Sequence, residues 1–201
     1  MNRKSFYEKL KLVGIRETAD LLRIEDAYWF AKSAHRGQTR DSGERYFEHC
    51  RRVALNIANS GEATVDEIII ALLHDCIEDC FFPERVLLKQ FGDGIHEAVY
   101  TLSKVVPVSA GEAGDAPGEI RKIRKNDAVY WQGVQRANIH VRRAKLADRL
   151  DNLRDFAVWT QERKQKYLVE TEMYVLPIAR ATSAYFTQAL EKEIAKAREG
   201  G

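Results

Sequence analysis

The sequence predicts an all-α fold in a single domain. Apolar residues recur every three or four positions through most of the 201-residue chain, which is the period of an amphipathic helix. The sequence shows no β-hairpin signal, no internal repeat and no low-complexity linker. A chain of 23.0 kDa has the size of one domain. It buries roughly 70% of its unfolded surface, so its core needs no disulfide or metal.

The composition is typical of a globular protein and excludes several classes of function. Hydrophobic residues at 45% and charged residues at 31% exclude a mainly disordered chain. A net charge of +2 gives no general attraction to nucleic acid or to acidic membranes. The first residues, MNRKSFYEKLKLVG, lack the apolar core of a signal peptide, and no run approaches ~20 apolar residues. Since three cysteines are too few for a disulfide framework, we expect a reducing, cytoplasmic location and no membrane partner.

Two helices are predicted around a polar loop in the first third of the chain. The first runs through IEDAYWFAKSAHRGQ, where apolar residues from Ile24 to Ala34 share one face and Gly37 ends the element. Small and polar residues dominate TRDSGERYFEH, which predicts a loop. Helical spacing resumes over residues 46–59.

The next helix is predicted to lie at the centre of the core. Thr64 and Glu67 have the spacing of a capping box, so the helix starts there. Its sequence, VDEIIIALLHDCIEDC, is almost wholly apolar before a polar end. Pro83 starts a further short helix that Gly92 closes. The prolines and glycines of residues 103–119 predict a surface loop.

The C-terminal half is predicted to be helical as well. After the basic stretch IRKIRK, a helix occupies about residues 129–138. The segment HVRRAKLADRLDNLRDFAVW is amphipathic, and its apolar stripe contains Leu146, Leu150, Leu153 and Ala157. Two more helices complete the chain within residues 160–198, the second beginning near Pro177. All 201 residues are assigned to one domain, whose motif-bearing core covers about residues 25–155.

A cluster of ionisable residues ends the central helix. Since positions i and i+4 share a helix face, His74 is expected over Glu78 and Asp75 over Asp79. Burying such groups without a partner is costly, and a divalent cation accepts imidazole and carboxylate together. A helix that simply ends in water is the alternative, and these four residues alone do not decide between the two.

A second helix offers a matching polar stripe. In KLADRLDNLR, the residues Lys145, Asp148, Arg149 and Asn152 lie beside the leucine face. Asp148 is a candidate metal ligand, and Lys145 a candidate contact for phosphate or sugar oxygens. A solvated helix face is again the alternative. His49 in GERYFEH is a third candidate, although a single histidine is more often structural.

Together these segments resemble the HD-domain phosphohydrolases. They are most similar to the hydrolase domain of the RelA/SpoT alarmone enzymes and to their stand-alone, metazoan SpoT-like relatives. Five blocks carry the resemblance in order: AHRGQTR, SGERYFEH, ALLHDCIED, the FG of KQFGDG, and KLADRLDNL. The resemblance implies a single HD-domain helical bundle.

The resemblance also implies a set of site residues. The implied ligands of one divalent metal, typically Mn²⁺ in the family, are His49, His74, Asp75 and Asp148. Glu78 and Asp79 match the acidic pair that orients or deprotonates the attacking water. The matching substrate contacts are Arg40, Ser42 and Asn152. The implied reaction is hydrolysis of the 3′-pyrophosphate of (p)ppGpp, an alarmone of the stringent response, to pyrophosphate and GDP or GTP.

The chain departs from the family pattern near the expected phosphates. Asp41 stands where the family usually has lysine, and Arg45 and Cys50 stand where prolines are common. The charge change at Asp41 disfavours an anion nearby. We therefore expect Arg45, or Lys122 and its neighbours in IRKIRK, to supply the missing positive charge.

Other functions stay open at this point. Asp41 favours another nucleotide substrate, a mono- or triphosphate. An inactive nucleotide-binding sensor is a further alternative, against which the Glu78–Asp79 pair argues. Nucleic-acid binding through IRKIRK is not favoured, because the run is short and lacks interleaved aromatic residues. The expected partner is a small-molecule nucleotide, and a homo-oligomer is left open.

The remaining histidines and cysteines receive no catalytic role. His35 continues a buried stripe and is interpreted as structural or as supporting a ligand from behind. His96 and His140 lie outside the matched motifs. Cys76 and Cys80 share a helix face, and small buried thiols explain them without redox function.

Overall fold

The computed structural model of the chain describes residues 3–61, 63–80, 84–109 and 120–199. Within these residues the protein is helical apart from one small sheet, which confirms the all-α prediction. The helices are α1 (Arg3–Leu12), α2 (Thr18–Ala34), α3 (Tyr46–Asn59), α4 (Val65–Leu73), α5 (Cys76–Asp79), α6 (Glu84–Leu102), α7 (Asp127–Arg136), α8 (Ile139–Arg154), α9 (Gln161–Glu170), α10 (Leu176–Arg180) and α11 (Ala184–Glu199). The strands are β1 (Val105–Ser109) and β2 (Ile120–Arg124).

Helix α4 lies at the centre of the core, as its apolar sequence predicts. Every residue from Glu67 to Leu73 is buried, and α2, α3 and α8 pack around the helix. The predicted capping box is present: the Thr64 side chain accepts from the Glu67 N–H, and the Glu67 carboxylate accepts from the Thr64 N–H. This cap fixes where α4 starts and therefore where its C-terminal end lies.

The outer helices belong to the same hydrophobic cluster. Helix α1, which the sequence analysis does not identify, buries Phe6 and Leu10. Helix α11 packs on α8 and buries Phe186 and Leu190. The predicted apolar stripe of α8 is buried at Leu146, Leu150 and Leu153, while the Ala157 side chain lies outside the described residues. No helix in the described part of the chain has the length and apolar character needed to cross a bilayer.

The loop predicted for residues 103–119 is wrong at its start. Val105–Ser109 pairs antiparallel with Ile120–Arg124, with Val105 opposite Arg124 and Ser109 opposite Ile120. β-branched valines favour this extended backbone, and a two-stranded ribbon tolerates Pro107 because each strand is an edge. Residues 110–119 of the predicted loop lie outside the described residues, as does Pro83.

Several predicted helix boundaries differ from the structure. The helix predicted over VDEIIIALLHDCIEDC is interrupted by a turn at His74 and Asp75, and the one predicted over HVRRAKLADRLDNLRDFAVW ends at Arg154.

Gly92 leaves helical geometry at φ 80°, as a helix-closing glycine does, but helical structure resumes and continues to Leu102. Pro177 does not begin the last helix: it lies in α10, directly after a π-helical turn at Thr171–Val175. Such a turn accommodates a proline that cannot donate to the preceding carbonyls. The last helix begins at Ala184.

Candidate metal centre and its cleft

Four side chains from three parts of the chain converge beside the end of α4. His49 comes from α3, His74 and Asp75 from the turn between α4 and α5, and Asp148 from α8. The Nε2 atom of His49 lies 3.4 Å from Asp148 Oδ1 and 3.6 Å from Asp75 Oδ2. The Nε2 atom of His74 lies 3.7 Å and 2.9 Å from the same two oxygens. The ligand atoms of His49, His74 and Asp148 therefore all lie within 4.8 Å of one another, and Asp75 Oδ2 lies close to both histidines.

Hydrogen bonds made by the Nδ1 atoms orient the imidazole rings of His49 and His74. His49 Nδ1 lies 2.7 Å from Asp151 Oδ2, and His74 Nδ1 lies 2.9 Å from the Ala71 carbonyl oxygen. Each acceptor places the ring proton on Nδ1, which leaves the Nε2 lone pair toward the carboxylates. Among the residues that the structure describes, the buried His74 Nε2 has no hydrogen-bond partner, although Asp75 Oδ2 lies 2.9 Å away.

The donor set fits a divalent cation. Four ligand atoms at about 2.0–2.2 Å from a metal are separated by distances of the size found here. Imidazole nitrogen and carboxylate oxygen suit several divalent transition metals, including manganese. A cation bound to these atoms would also satisfy the buried His74 Nε2. The residues His49, His74, Asp75 and Asp148 can hold such an ion.

The charges of the cluster attract a cation. Burial would raise the pKa of Asp148, but Lys145 and the two histidines hold that pKa well below its usual value. Burial acts in the same direction on Asp75, where His74 and His49 lower the pKa well below its usual value. Burial lowers the pKa of His49, yet the surrounding carboxylates raise it to about 9. Asp75 and Asp148 are therefore ionised at neutral pH, and their negative charges favour a bound cation.

The acidic pair Glu78 and Asp79 lies next to this centre. Burial, followed by the nearby Asp75 charge, raises the pKa of both carboxyls. The Tyr46 hydroxyl lies 2.8 Å from Asp75 Oδ2 and 2.6 Å from Asp79 Oδ2. A hydroxyl carries one proton, so it donates to one carboxylate at a time. If Tyr46 donates to Asp75, the contact between Tyr46 and Asp79 is a hydrogen bond only when Asp79 is protonated and donates to the Tyr46 oxygen.

Glu78 is held from the two-stranded ribbon formed by β1 and β2. The backbone N–H of Lys104, just before β1, donates to Glu78 Oε2 at 2.6 Å. The Lys122 ammonium on β2 donates to the carbonyl oxygens of Glu78 at 2.6 Å and Cys80 at 3.0 Å. The ribbon therefore fixes both the backbone and the carboxylate of Glu78.

A cavity of about 300 Å³ opens over the metal cluster and the acidic pair. Among the described residues, the positively charged side chains that line it are Arg40, Lys104, Lys145, Arg149 and Arg163. Trp159 and Tyr167 supply flat aromatic surface on the same wall. Arg40 and Lys145 are among the predicted substrate contacts, whereas Lys104 and Arg163 are not. Neither has a local pattern that could have indicated it.

The predicted substrate contacts Arg40, Lys145 and Asn152 line this cavity. Asn152 donates to Asp148 Oδ1 at 2.6 Å and accepts from Arg40 Nη2 at 2.7 Å. Arg40 also donates to Asp155 at 2.9 Å, and Lys145 donates to Asp148 Oδ2 at 2.8 Å. These three residues therefore contact the metal cluster or each other as well as the cavity.

Ser42 and Arg45 lie elsewhere. Ser42 lines a separate cavity beside Arg52 and Asp151, and the exposed Arg45 lines another beside Trp29. In the basic stretch, Lys122 contacts the carbonyls behind Glu78, and the Arg121 side chain is outside the described residues. Neither Arg45 nor Lys122 is among the described residues that line the cavity over the metal cluster, and the expected charge compensation stays a prediction.

Asp41, the departure from the family loop, has a partner in the cavity wall. Its carboxylate forms an ion pair with Arg163 of α9, and both side chains are about half exposed. The pair brings together positions that are 122 residues apart. The negative charge of Asp41 is thus paired within the protein.

Comparison with known proteins gives consistent matches. Residues 27–180 match the family model described as HD domain. A probable GTP diphosphokinase RSH2 of Oryza sativa subsp. japonica is 32% identical over 78% of the chain and 21% of its own length. The guanosine-3′,5′-bis(diphosphate) 3′-pyrophosphohydrolase of Vibrio cholerae is 33% identical over the same two shares. The chain thus spans about a fifth of the length of these curated relatives.

A solved structure supports the fold. It is described as a metazoan ortholog of SpoT that hydrolyses ppGpp, and it superposes with a TM-score of 0.70. The match covers 87% of this chain and 94% of that one at 24% sequence identity. The helical arrangement around the convergent histidines and aspartates is therefore one that a known protein also adopts.

Proposed function

This chain belongs to the HD domain family, and on that premise we propose that it hydrolyses the 3′-pyrophosphate of (p)ppGpp. Water and (p)ppGpp would yield pyrophosphate and GDP or GTP. The names of the Vibrio cholerae relative and of the metazoan SpoT ortholog support this substrate. The observation that carries the proposal is the convergence of His49, His74, Asp75 and Asp148 beneath a cavity lined with cations.

The four convergent residues would hold one divalent cation, for which we propose Mn²⁺. When bound, such an ion supplies Lewis acidity at the phosphate under attack. Asp151 and the Ala71 carbonyl keep the imidazole rings in the orientation that binding requires. Lys145 and Asn152 both bond to Asp148 and so limit the freedom of its carboxylate.

Glu78 and Asp79 would handle the proton of the attacking water. A base is more effective when its pKa lies nearer the working pH, and burial raises the pKa of both carboxyls. The Lys104 N–H holds one oxygen of Glu78, which leaves the other oxygen to accept a proton. As the bond between phosphorus and the 3′ oxygen breaks, that oxygen gains a proton. Asp79, bonded to the Tyr46 hydroxyl, lies where a proton can be passed on.

The cavity wall would bind the negative charge of the substrate. Lys104, Lys145 and Arg149 face the same cavity as the acidic pair. Guanidinium and ammonium groups bind phosphate oxygens through charge-assisted hydrogen bonds. Trp159 and Tyr167 line the same cavity, and the guanidinium groups of Arg163 and Arg149 lie over their rings at 3.9 Å and 3.8 Å. A polyanionic nucleotide would therefore meet these cationic side chains, while the carboxylates that also line the cavity would be offset in part by the bound divalent cation.

The decisive experiment is a substrate panel with the metal controlled. The purified protein is stripped of metal, reloaded with Mn²⁺ and assayed with ppGpp, pppGpp, GTP and nucleoside monophosphates. We expect pyrophosphate together with GDP or GTP, and loss of both metal and turnover in His74→Ala and Asp148→Asn. The exposed Asp66→Asn variant is the matched control and should retain both.

Two outcomes would redirect the proposal. Turnover of a mono- or triphosphate with ppGpp untouched would assign the centre to another nucleotide, which the replacement of the family lysine by Asp41 favours. Tight ppGpp binding without turnover in the Mn²⁺-loaded protein would indicate a sensor. Either result would overturn the proposed reaction while leaving the metal centre in place.

A further inference from the structure

A second cavity, of about 510 Å³, adjoins the cavity over the metal cluster. His35 lines the second cavity and Tyr46 lines the first, and their rings stack with centroids 4.7 Å apart. Among the described residues, Thr39 alone lines both cavities. Small-molecule sites occupy about 300–1,000 Å³. The second cavity is therefore a separate space that is large enough for a ligand.

The wall of the second cavity is strongly positive. Among the described residues that line it, Glu48 is the one carboxylate, against five cations. These cations are Arg3, Lys32, Arg36, Arg45 and Arg51. The first cavity, by contrast, has six carboxylates against five lysines and arginines in the described part of the chain. An anion that enters without a divalent metal should therefore prefer the second cavity.

Three of these five cations have no carboxylate partner among the described residues. Glu48 pairs with Arg51, and Arg3 pairs at 2.7 Å with Glu25, which does not line the cavity. The cavity cations that lack such a partner are Lys32, Arg36 and Arg45. The last of these stands where the family pattern commonly has proline. The cavity therefore keeps a net positive charge that the ion pairs do not neutralise.

Contacts within the cavity wall hold part of this charge in place. The Lys32 ammonium and the Arg3 guanidinium lie 4.7 Å and 5.4 Å from the centroid of the Trp29 ring. A cation–π contact positions a cation without neutralising it. Arg51 is buried, and within the described ranges its one side-chain hydrogen bond goes from Nη2 to Glu48. Since a guanidinium has five N–H donors, Arg51 has donors left for a ligand.

We propose that the second cavity binds a small molecule that carries two or more phosphate groups. Guanidinium groups bind phosphate oxygens in pairs through charge-assisted hydrogen bonds. A phosphate group offers three acceptor oxygens and nearly two negative charges, more than a carboxylate supplies. The cations come from the end of α2 and the start of α3, so they can bind more than one such group.

Calorimetric titration with inorganic triphosphate tests the proposal. The full chain is first stripped of metal and then dialysed free of the chelator, so that the HD centre offers no cation to the probe. We expect one equivalent of triphosphate to bind per chain, with an affinity that falls as salt is added. Citrate should bind more weakly, because its anionic groups are carboxylates. Equal affinity for citrate would overturn the assignment to phosphate.

Single variants place the bound anion. Arg45→Ala and Lys32→Ala each remove an unpaired cation of the second cavity and should weaken triphosphate binding by about tenfold. Arg23→Ala removes an exposed cation of α2 that pairs with Asp66 outside both cavities, so it should bind like the wild type. His74→Ala alters the HD centre and should retain the affinity as well. Wild-type affinity in both cavity variants would refute the site.

Trp29 gives an independent readout of position. Because Lys32 and Arg3 lie over its ring, an anion bound to them should change its fluorescence. The change should disappear in Trp29→Phe. A change that persists there would place the probe beside another tryptophan, such as Trp159 of the first cavity, and overturn the proposal. None of these measurements requires turnover, so this proposal and the proposed function can fail separately.

Discussion

The carboxylate of Asp41 is paired with the guanidinium of Arg163 at the wall of the cavity above the metal cluster. Asp41 replaces a lysine of the family pattern, and the pairing explains how the cavity tolerates the reversed charge. The pair also engages Arg163, whose guanidinium lies over the Trp159 ring at 3.9 Å in the same cavity wall. Since both side chains are about half exposed, the pair contributes little to stability. Its effect should lie in binding.

Changing either partner should move substrate affinity in opposite directions. Asp41→Asn removes a negative charge and releases Arg163, so the KM for ppGpp should fall by about three- to tenfold, equal to ~0.7–1.4 kcal/mol. Arg163→Ala removes the cation and should raise KM by a similar factor. Lys166→Ala, an exposed change on the same helix, is the control for both. Steady-state kinetics with equal KM for all four proteins would contradict the expectation.

The Asp151→Asn variant should weaken metal binding without removing a ligand. Asp151 accepts from His49 Nδ1 at 2.7 Å and is itself fixed by Arg52 at 2.8 Å. Loss of the carboxylate charge makes the imidazole a poorer donor to a cation, and such changes cost about 10- to 100-fold in metal affinity. Calorimetric titration with Mn²⁺ measures the effect, with Asp66→Asn as the exposed control. Wild-type affinity in Asp151→Asn would show that the contact is not needed.

Glu78→Gln should separate catalysis from metal binding. The amide keeps the shape of the side chain but cannot take a proton, so kcat should fall by about 10²–10⁴. The Mn²⁺ content should stay at the wild-type level. Glu97→Gln, an exposed change on α6, serves as the control. If Glu78→Gln instead loses the metal, Glu78 has to be reassigned as a ligand.

The ion pairs of Glu170 should make stability depend on pH in acid. Burial opposes the shift, but Arg149 and Lys104 outweigh it and hold the pKa of Glu170 below its usual value of 4.5. A carboxyl whose pKa is lower in the folded state stabilises the protein above its unfolded-state pKa. That contribution disappears as the pH falls through the lower folded value.

Urea unfolding of Glu170→Gln tests this dependence. At neutral pH the variant should be less stable by about 1–3 kcal/mol, because Arg149 loses a charged hydrogen bond. The difference from the wild type should shrink as the pH is lowered below 4.5. Glu162→Gln, whose carboxylate is exposed, should show no such convergence. If the difference in unfolding free energy between Glu170→Gln and the wild type does not change with pH, the lost stability does not come from the charge of Glu170.

Local patterns predicted the central features of the fold. The apolar run of α4 and the spacing of Thr64 and Glu67 depend on neighbours in sequence, and both appear in the structure as expected. The valines before Pro107 were assigned to a loop, because their pairing with residues 120–124 depends on a partner strand that no local pattern indicates. Pro177 was misplaced because the π-helical turn that accommodates it has no signal of its own.

The candidate site likewise contains residues that the sequence indicates and residues that no local pattern indicates. The convergence of His49, His74, Asp75 and Asp148 was expected from a family resemblance, since spacing alone left a solvated helix end as an alternative. Asp151 lies one turn from Asp148 on the same helix, so its position near the cluster follows from helical geometry. Lys104 and Arg163 reach the cavity from distant elements, and their charges resemble those of any exposed cation in the sequence.

The residues that hold Glu78 belong to a different part of the fold from the residues of the candidate metal centre. Helices α3 and α8 and the turn between α4 and α5 supply the histidines and aspartates, whereas Lys104, just before the ribbon, and Lys122, within it, hold Glu78, the proposed catalytic acid. Under the proposed function, metal binding and turnover therefore depend on different parts of the fold. Substitutions confined to the ribbon would suffice to convert a hydrolase of this kind into a protein that binds its nucleotide and leaves it intact.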